Sequence, residues 1–408
     1  MLDIKFIRDN PDKVKEGLAK KQVKIDLDRL LALDEARRGS LQKIESLRAE
    51  QNKLGKEDIV KARGIKAEIK SLEPELANTE KELNSLMRQI PNLPQDDVPV
   101  GKDEKDNVVL REVGSKPKFD FEPKDYMTIA EKLDLIDVKR AAKVSGTRFG
   151  YLKGEVALLE LALINLAFEV LSKEGFVPII PPVMIKPEMM EAMGYIDTPE
   201  DRAERYFLKE NDLVLVGTSE QSIGPMRKDD ILEEKKLPKR YVAFSSCFRE
   251  EAGAYGKDTK GILRVHQFDK VEMFSICQPE KSREEHQFLL KMEEKLMKSL
   301  DLPYRVVQLC TGDLARPSAS TIDIETWMPG QGEYRETHST SNCTDFQARR
   351  LNIRYRSQKG LEFVHTLNGT AFAIGRMLIS IIENCQQKDG SVKVPKALQK
   401  YAWFKKID

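Results

Sequence analysis

Cysteine is scarce here and badly placed for bridging. Five occur in 408 residues: Cys247, Cys277, Cys310, Cys343 and Cys385. The count is odd, the gaps are wide and no CxxC pair occurs, which excludes a disulfide framework and points to free thiols in a reducing compartment. Histidine is scarcer still, with four residues and no HExxH spacing, so no zinc site is expected. No apolar run is long enough to span a bilayer; the longest, around residues 156–166, contains Glu160. The first segment, MLDIKFIRDNPDKVKEG, lacks an apolar signal core, and its acidic residues argue against a transit peptide. A cytoplasmic protein with no membrane partner is the expectation. An excess of one charge sign is missing too. The net charge is +1, so any nucleic-acid contact must come from local patches. Neither GxxxxGK[ST] nor GxGxxG follows a strand pattern, so a nucleotide would have to bind without a P-loop.

What remains is a charged (33%) chain longer than one core usually organises, which gives two domains as the starting point. Residues 27–90 are rich in Leu, Lys, Glu, Ala and Arg. Ala62, Ile65, Ile69, Leu72, Leu76, Thr79, Leu83, Leu86 and Ile90 follow one another in steps of three and four, a heptad seam. Leu30, Leu33, Ile44, Leu47 and Leu54 form a looser stripe upstream, with KLGKEDIVKARG between the two. This pattern predicts an antiparallel helical hairpin, a coiled-coil arm of roughly 40 Å at about 1.5 Å per residue. Pro74 falls inside the second helix and predicts a kink. The Pro-rich, charged IPNLPQDDVPVGKDEKDN reads as a linker and divides the chain into residues 1–105 and 106–408.

Beyond the linker, residues 153–174 read as a helix. FVPIIPPVMI reads as a strand interrupted by prolines, and DLVLVGTSEQS, RYVAFSSCFREE, ILRVHQFDKVEMFSIC and TIDIETWMPG read as strands. No regular crossover helices separate them, so the second domain is expected to be α+β, an antiparallel sheet flanked by helices. Taken as one hairpin, FREEAGAYGKDTKGILRVHQFDKVEMF puts Arg249 and Glu251 on one face, with Arg264, His266, Phe268, Lys270 and Glu272 on the matching face of the return strand. Arginine forks, a flat ring and carboxylates suit a phosphate ester that carries a heterocycle and an amine. A solvated, salt-bridged sheet face would need only the charges. The Gly- and Lys-rich connection at residues 253–261 reads as a loop able to cover a ligand. In NGTAFAIGRMLISIIEN, Arg376 sits near a helix start, where anions are favoured.

These segments resemble a known family. FREEAG…DTKG…RVHQFDKVE is similar to motif 2 of class II aminoacyl-tRNA synthetases, NGTAFAIGR to motif 3, and EGFVPIIPP to motif 1, the dimer-interface strand. Within that class GTSE, HQF and PGQGEYRETHSTSNCTDFQARR resemble the seryl-tRNA synthetases, and the helical hairpin resembles that family's tRNA-binding arm. The likeness covers nearly the whole chain. It implies a class II catalytic domain that makes seryl-adenylate from L-serine and ATP and transfers serine to the 3′ end of tRNA(Ser). It also implies a homodimer, and it leaves tRNA(Sec) open as a second RNA partner.

By motif match, Arg249 would hold the α-phosphate and, with Arg376, act in catalysis. Glu251 would read the adenine amino group, and Phe268 and Arg376 would sandwich the ring. Arg264 and Arg376 would hold the β- and γ-phosphates, with Glu250, Val265, Thr337 and His338 completing the ATP site. Glu336 and Ser339 would position Mg²⁺. Serine would meet Thr218, Ser219, Glu220, Arg249, Glu272, Asn368 and Thr370. Lys53, Lys56, Lys61, Arg63, Lys66 and Lys70 cluster near the arm's tip as candidate tRNA-phosphate contacts. The chain departs from the family pattern at Gly217 and Ser219, where proline and alanine are usual, and at His338 and Thr340. Two other readings share parts of this sequence. One is a non-enzymatic RNA- or protein-binding paralogue, which would be expected to lose the phosphate-binding arginines. The other is a ligase charging a carrier protein, which would be expected to lack the arm.

Overall fold

The computed structural model describes residues 1–252 and 260–408. The loop expected at residues 253–261 therefore lies mostly outside the described residues. The chain forms two compact units, Met1–Leu93 and Pro94–Asp408.

In the first unit, α1 (Ile4–Asp9) and α2 (Pro11–Lys20) lead into α3 (Leu27–Gln51), and a short turn connects to α4 (Ile59–Gln89). Asp26 caps α3 by accepting from the Arg29 amide at 2.8 Å. The seam closes in two clusters. Leu30, Leu33, Leu83, Met87 and Ile90 pack with Ile7, Val14 and Leu18 from α1 and α2. Farther out, Ile44, Ile65 and Ile69 pack with Leu47, Leu54, Leu72 and Leu76. Pro74 lies inside α4, which runs through it as one helix. Ion pairs line the flanks of the seam: Arg29–Glu82 at 2.8 Å, Arg37–Glu80 at 3.0 Å, Lys43–Glu68 at 2.9 Å and Arg48–Glu73 at 3.4 Å.

The second unit is built on an eight-stranded sheet. Its strands are β1 (Val108–Val113), β2 (Val177–Ile179), β3 (Lys239–Phe248), β4 (Gln267–Cys277), β5 (Tyr304–Gln308), β6 (Ser320–Met328), β7 (Glu333–Asn342) and β8 (His365–Ala373). Their order is β1-β5-β6-β7-β8-β4-β3-β2. Every pairing is antiparallel except that of the edge strand β2 with β3. Three helices, α5 (Gly154–Lys173), α7 (Ser282–Leu300) and α8 (Ile374–Asn384), join the sheet in one large core. A single turn, α6 (Glu220–Ile223), precedes β3.

The prolines interrupt FVPIIPPVMI as expected: its first residues form β2, and Met184–Ile185 pair in a separate small sheet. One expectation needs correction: the long hairpin is shorter than its sequence suggests. β3 stops at Phe248 and β4 begins at Gln267, so Arg249, Glu251, Arg264 and His266 lie off the ladder. Glu251 adopts φ +51°, which no strand residue can hold.

Candidate active site

The site is built where β3, β4, β7 and β8 lie side by side. Along β4, Phe268, Lys270 and Glu272 share a face by strand alternation, opposite Cys247, Ser245 and Ala243 of β3. On the other side Glu272 is in register with Thr370 of β8. Glu272 is fully buried. Its Oε2 lies 2.5 Å from Lys270 Nζ, and its carboxylate accepts from Thr370 Oγ1 at 3.3 Å and Asn368 Nδ2 at 3.4 Å.

The turn entering α6 supplies the opposite wall. Gly217 N–H donates to Gln221 Oε1 at 2.7 Å and fixes the turn. Thr218 and Glu220 then come out buried at the cleft. Glu220 Oε1 accepts from the Tyr195 hydroxyl. Among the described residues Glu220 Oε2 and Thr218 Oγ1 have no hydrogen-bond partner. Burial and the neighbouring Glu272 push the Glu220 carboxyl up to about 7, against Lys270, Tyr195 and Arg249. Ser219 faces away from the cleft, its hydroxyl 2.7 Å from that of Ser245.

The cations stand across the cleft. Arg249 Nε and Nη2 donate to the Gly217 carbonyl at 3.2 and 3.1 Å, and its guanidinium lies 5.2 Å from the Phe268 ring centre. Irregular backbone holds it there: its N–H donates to the His266 carbonyl at 2.9 Å. Arg264 Nη1 donates to Glu251 Oε2 at 2.7 Å. Arg376, on the first turn of α8, donates to the Glu336 carbonyl at 2.9 Å and lies 3.1 Å from its Oε2.

A cleft of about 600 Å³ brings together Thr218, Glu220, Arg249, Glu251, Arg264, Val265, Phe268, Glu336, Thr337, Ser339, Asn368, Thr370 and Arg376. Four of the expected residues lie elsewhere. Glu272 sits beneath the floor, behind Lys270. Ser219 is packed against β3. The Glu250 carboxylate turns to the Tyr206 hydroxyl. His338 is a correction: strand alternation along β7 puts Thr337, Ser339 and Ser341 toward the cleft and His338 toward the core, while a register shift opposite Ile324 and Glu325 brings Glu336 to the cleft as well. Its ring is fully buried edge-on to Phe372 at 5.9 Å, its Nδ1 lies 2.9 Å from Thr337 Oγ1, and burial pushes its pKa down to about 3, so it is neutral.

The structure adds cleft residues that sequence reasoning passed over, notably Tyr195, Arg205, Gln221 and Ser341. Lys270, placed on this face by the alternation but given no role, joins them. Tyr195 and Arg205 come from a loop with no periodic signal.

Asp323 of β6 gives a test for a metal. Burial and the nearby Glu336 push its carboxyl up, while Ser339 hydrogen-bonds to it. Among the described residues its Oδ1 has no partner. Hard, under-satisfied oxygens beside Glu336 and Ser339 fit a magnesium ion that takes its remaining ligands from phosphate and water. Among the described residues no three His, Cys, Asp or Glu side chains form a closed metal cage.

In the arm, Lys53, Lys61, Arg63, Lys66 and Lys70 are exposed. Lys61 is paired with Glu50 at 2.9 Å. The Lys56 side chain lies outside the described residues.

Comparison with known proteins adds independent findings. Residues 1–94 match the family described as seryl-tRNA synthetase N-terminal domain. Residues 205–385 match the tRNA synthetase class II core domain (G, H, P, S and T). The chain is 45% identical over 422 residues to the serine–tRNA ligase of Dictyoglomus turgidum, covering 100% of this chain and 99% of the relative. It is 46% identical to that of Thermobifida fusca, with 98% and 97% covered. Among solved structures, the seryl-tRNA synthetase of Pyrococcus horikoshii complexed with ATP superposes with a TM-score of 0.94 at 42% identity, covering 100% of this chain and 99% of that one.

Proposed function

The chain belongs to the seryl-tRNA synthetase family, and from that premise we propose a residue-level account of its chemistry. The enzyme activates L-serine with ATP to seryl-adenylate and transfers the serine to the 3′ end of tRNA. One observation carries the assignment of the serine pocket. Thr218 Oγ1 and Glu220 Oε2 are buried polar atoms with no partner among the described residues, and they line the same cleft as Asn368 and Thr370. An unpaired buried polar atom costs about 1–3 kcal/mol, and a ligand with an ammonium and a hydroxyl removes that cost. Serine has both. Alanine would leave the hydroxyl partners unpaired, which is how such a site rejects it.

ATP fits the opposite half. Phe268 and Arg376 would sandwich adenine and Glu251 would accept from its amino group, exchanging its present bond to Arg264. Arg264 and Arg376 would then hold the β- and γ-phosphates. A serine carboxylate oxygen attacks the α-phosphorus, the bond to the pyrophosphate oxygen breaks, and seryl-adenylate and pyrophosphate result. Arg249 would stabilise the charge that builds on the α-phosphate in that step. Glu336 and Ser339, with Asp323 behind them, would hold Mg²⁺, which neutralises phosphate charge when bound.

Residues 1–105 would serve tRNA binding and residues 106–408 the chemistry. Val177 of the edge strand β2, Ile180 just beyond it and Leu161 of helix α5 are exposed, at 54%, 73% and 56%, apolar side chains suited to contact with a second copy of the chain. Among the described residues no helix is long and apolar enough to cross a membrane, and we place the enzyme in the cytoplasm.

The test is ATP–pyrophosphate exchange with serine, threonine, alanine and glycine in turn. Exchange with serine alone is expected, with Arg249→Ala lowering kcat/KM about a hundred- to a thousandfold. Equal exchange with alanine would overturn the pocket assignment.

A further inference from the structure

We propose that Arg205 is a second substrate-binding guanidinium, paired with Arg249 on the anionic centre formed by the serine carboxylate and the α-phosphate. The proposal rests on the cleft assignment above and adds a residue to it.

Arg205 lies on the segment after the 199–203 helix and lines the cleft beside Tyr195 and Glu204. Its Nη1 donates to the Glu204 carbonyl at 3.1 Å. Its Nε is buried and has no hydrogen-bond partner among the described residues. Its guanidinium lies 5.6 Å from the Tyr195 ring centre. Among the described residues no carboxylate lies within ion-pair distance of it, unlike Arg264, Arg350 or Arg376, which each hold one. Burial and the neighbouring Arg249 both pull its pKa down, the signature of a cation kept in a place that does not yet stabilise it.

Gly217 marks the corner that the two arginines share. A Cβ built there would be in ordinary van der Waals contact with Arg249 Cγ at 3.4 Å and Arg205 Nη1 at 3.5 Å, so both side chains pass against this one residue. Two like charges around one glycine, one of them buried with an idle N–H, call for an anion between them. Thr218 and Glu220 follow immediately in the chain and face the same cleft. The anion that reaches this corner together with an ammonium is therefore the carboxyl end of the amino acid at the moment it joins the α-phosphate.

The experiment compares Arg205→Gln and Arg205→Lys with the parent in serine-dependent ATP–pyrophosphate exchange without tRNA. Transfer from preformed seryl-adenylate to tRNA is then measured separately. Arg205→Gln is expected to lower exchange kcat about ten- to a hundredfold with a smaller change in KM for serine. Arg205→Lys, which keeps the charge, should recover part of the loss. Thermal melting checks that both variants fold, and partial rescue by lysine carries the test if glutamine proves unstable. Unchanged exchange in Arg205→Gln, alongside an active parent, would overturn the proposal and leave the cleft assignment standing. A loss confined to the transfer step would also overturn it, because it would place the anion on the tRNA acceptor end. A parent that exchanges with no amino acid would overturn both readings.

Discussion

The arm and the catalytic unit use the same residue types in opposite ways. Along the arm's seam charge stays in water, apart from Asp34, which is 1% exposed and held by Arg8 at 2.8 Å and Arg38 at 3.2 Å. Arg29–Glu82, Arg37–Glu80, Lys43–Glu68 and Arg48–Glu73 all keep about a third or more of each side chain exposed, and such pairs contribute about 0–1 kcal/mol each. Stability there comes from a repeated apolar seam. In the catalytic unit, Glu220, Glu272 and Glu293 are at most 1% exposed, with Lys270 at 7% among them. A carboxylate in that setting is costly unless something holds it. The difference teaches that a charge is cheap where it only decorates a helix and costly where it must meet a substrate.

The largest effect that would sharpen this contrast is on Lys270. It is the partner of Glu272 at 2.5 Å and it also opposes the charge of Glu220 and Glu293. Lys270→Met removes the cation and leaves the carboxylates buried together. A loss of about 3–5 kcal/mol in urea unfolding is expected. A loss below about 1 kcal/mol would show that this pair behaves like those of the arm, and the contrast would fail.

The same contrast explains what was legible in the sequence. The arm announced itself because its seam repeats: Ile65, Ile69 and Leu83 were chosen by period and are buried. The α+β character and the positions of β3, β4 and β6 followed from strand patterns for a similar reason. The motif likeness reached most of the cleft, because Arg249, Phe268 and Arg376 sit in segments with fixed spacing. What stayed hidden depended on irregular backbone. The register shift in β7 puts Glu336 on the same side as Ser339, three residues on, which period two does not predict; the same period would have turned His338 away from Ser339. Arg249 and Arg264 reach the cleft from segments beyond the strand ends, so alternation was the wrong reason for a useful grouping. Tyr195 and Arg205 are brought in by a loop whose conformation only tertiary packing decides.

Glu220 gives a second, smaller test, through pH. Burial and Glu272 raise its pKa to about 7, above the ordinary carboxylate value. Between the ordinary value and about 7 the folded state keeps a proton that the unfolded state has released. Stability therefore falls as pH rises through that window, and the penalty is fully present above about 7. Glu220→Gln lacks the penalty. Its stability relative to the parent should grow from pH 4 to pH 8 by up to about 3 kcal/mol, read from urea midpoints. Serine binding should show the converse. The ammonium favours the charged carboxylate, so parent affinity for serine should strengthen as pH rises toward 7, and the glutamine variant should lose that dependence. A pH-independent stability difference would mean that Glu220 is already ionised in the free enzyme.

The smallest effects are expected at the arm's tip, and they decide whether the two regions also divide the work. Arg63, Lys66 and Lys70 are exposed on α4, whereas Lys61 is engaged by Glu50. If these three side chains, which have no ion-pair partner among the described residues, meet tRNA phosphates, each contact displaces condensed counterions. The dependence of the tRNA KM on salt should then fall by about one in log–log slope for each residue changed to alanine. Lys61→Ala should matter less, because its charge is already partly satisfied. Serine-dependent exchange needs no tRNA and should be unchanged in all four variants. A tip substitution that altered exchange would mean that the arm communicates with the cleft before tRNA arrives. A salt slope indifferent to all three residues would move the RNA-binding surface off the tip, because a phosphate contact that releases no counterions is not a phosphate contact.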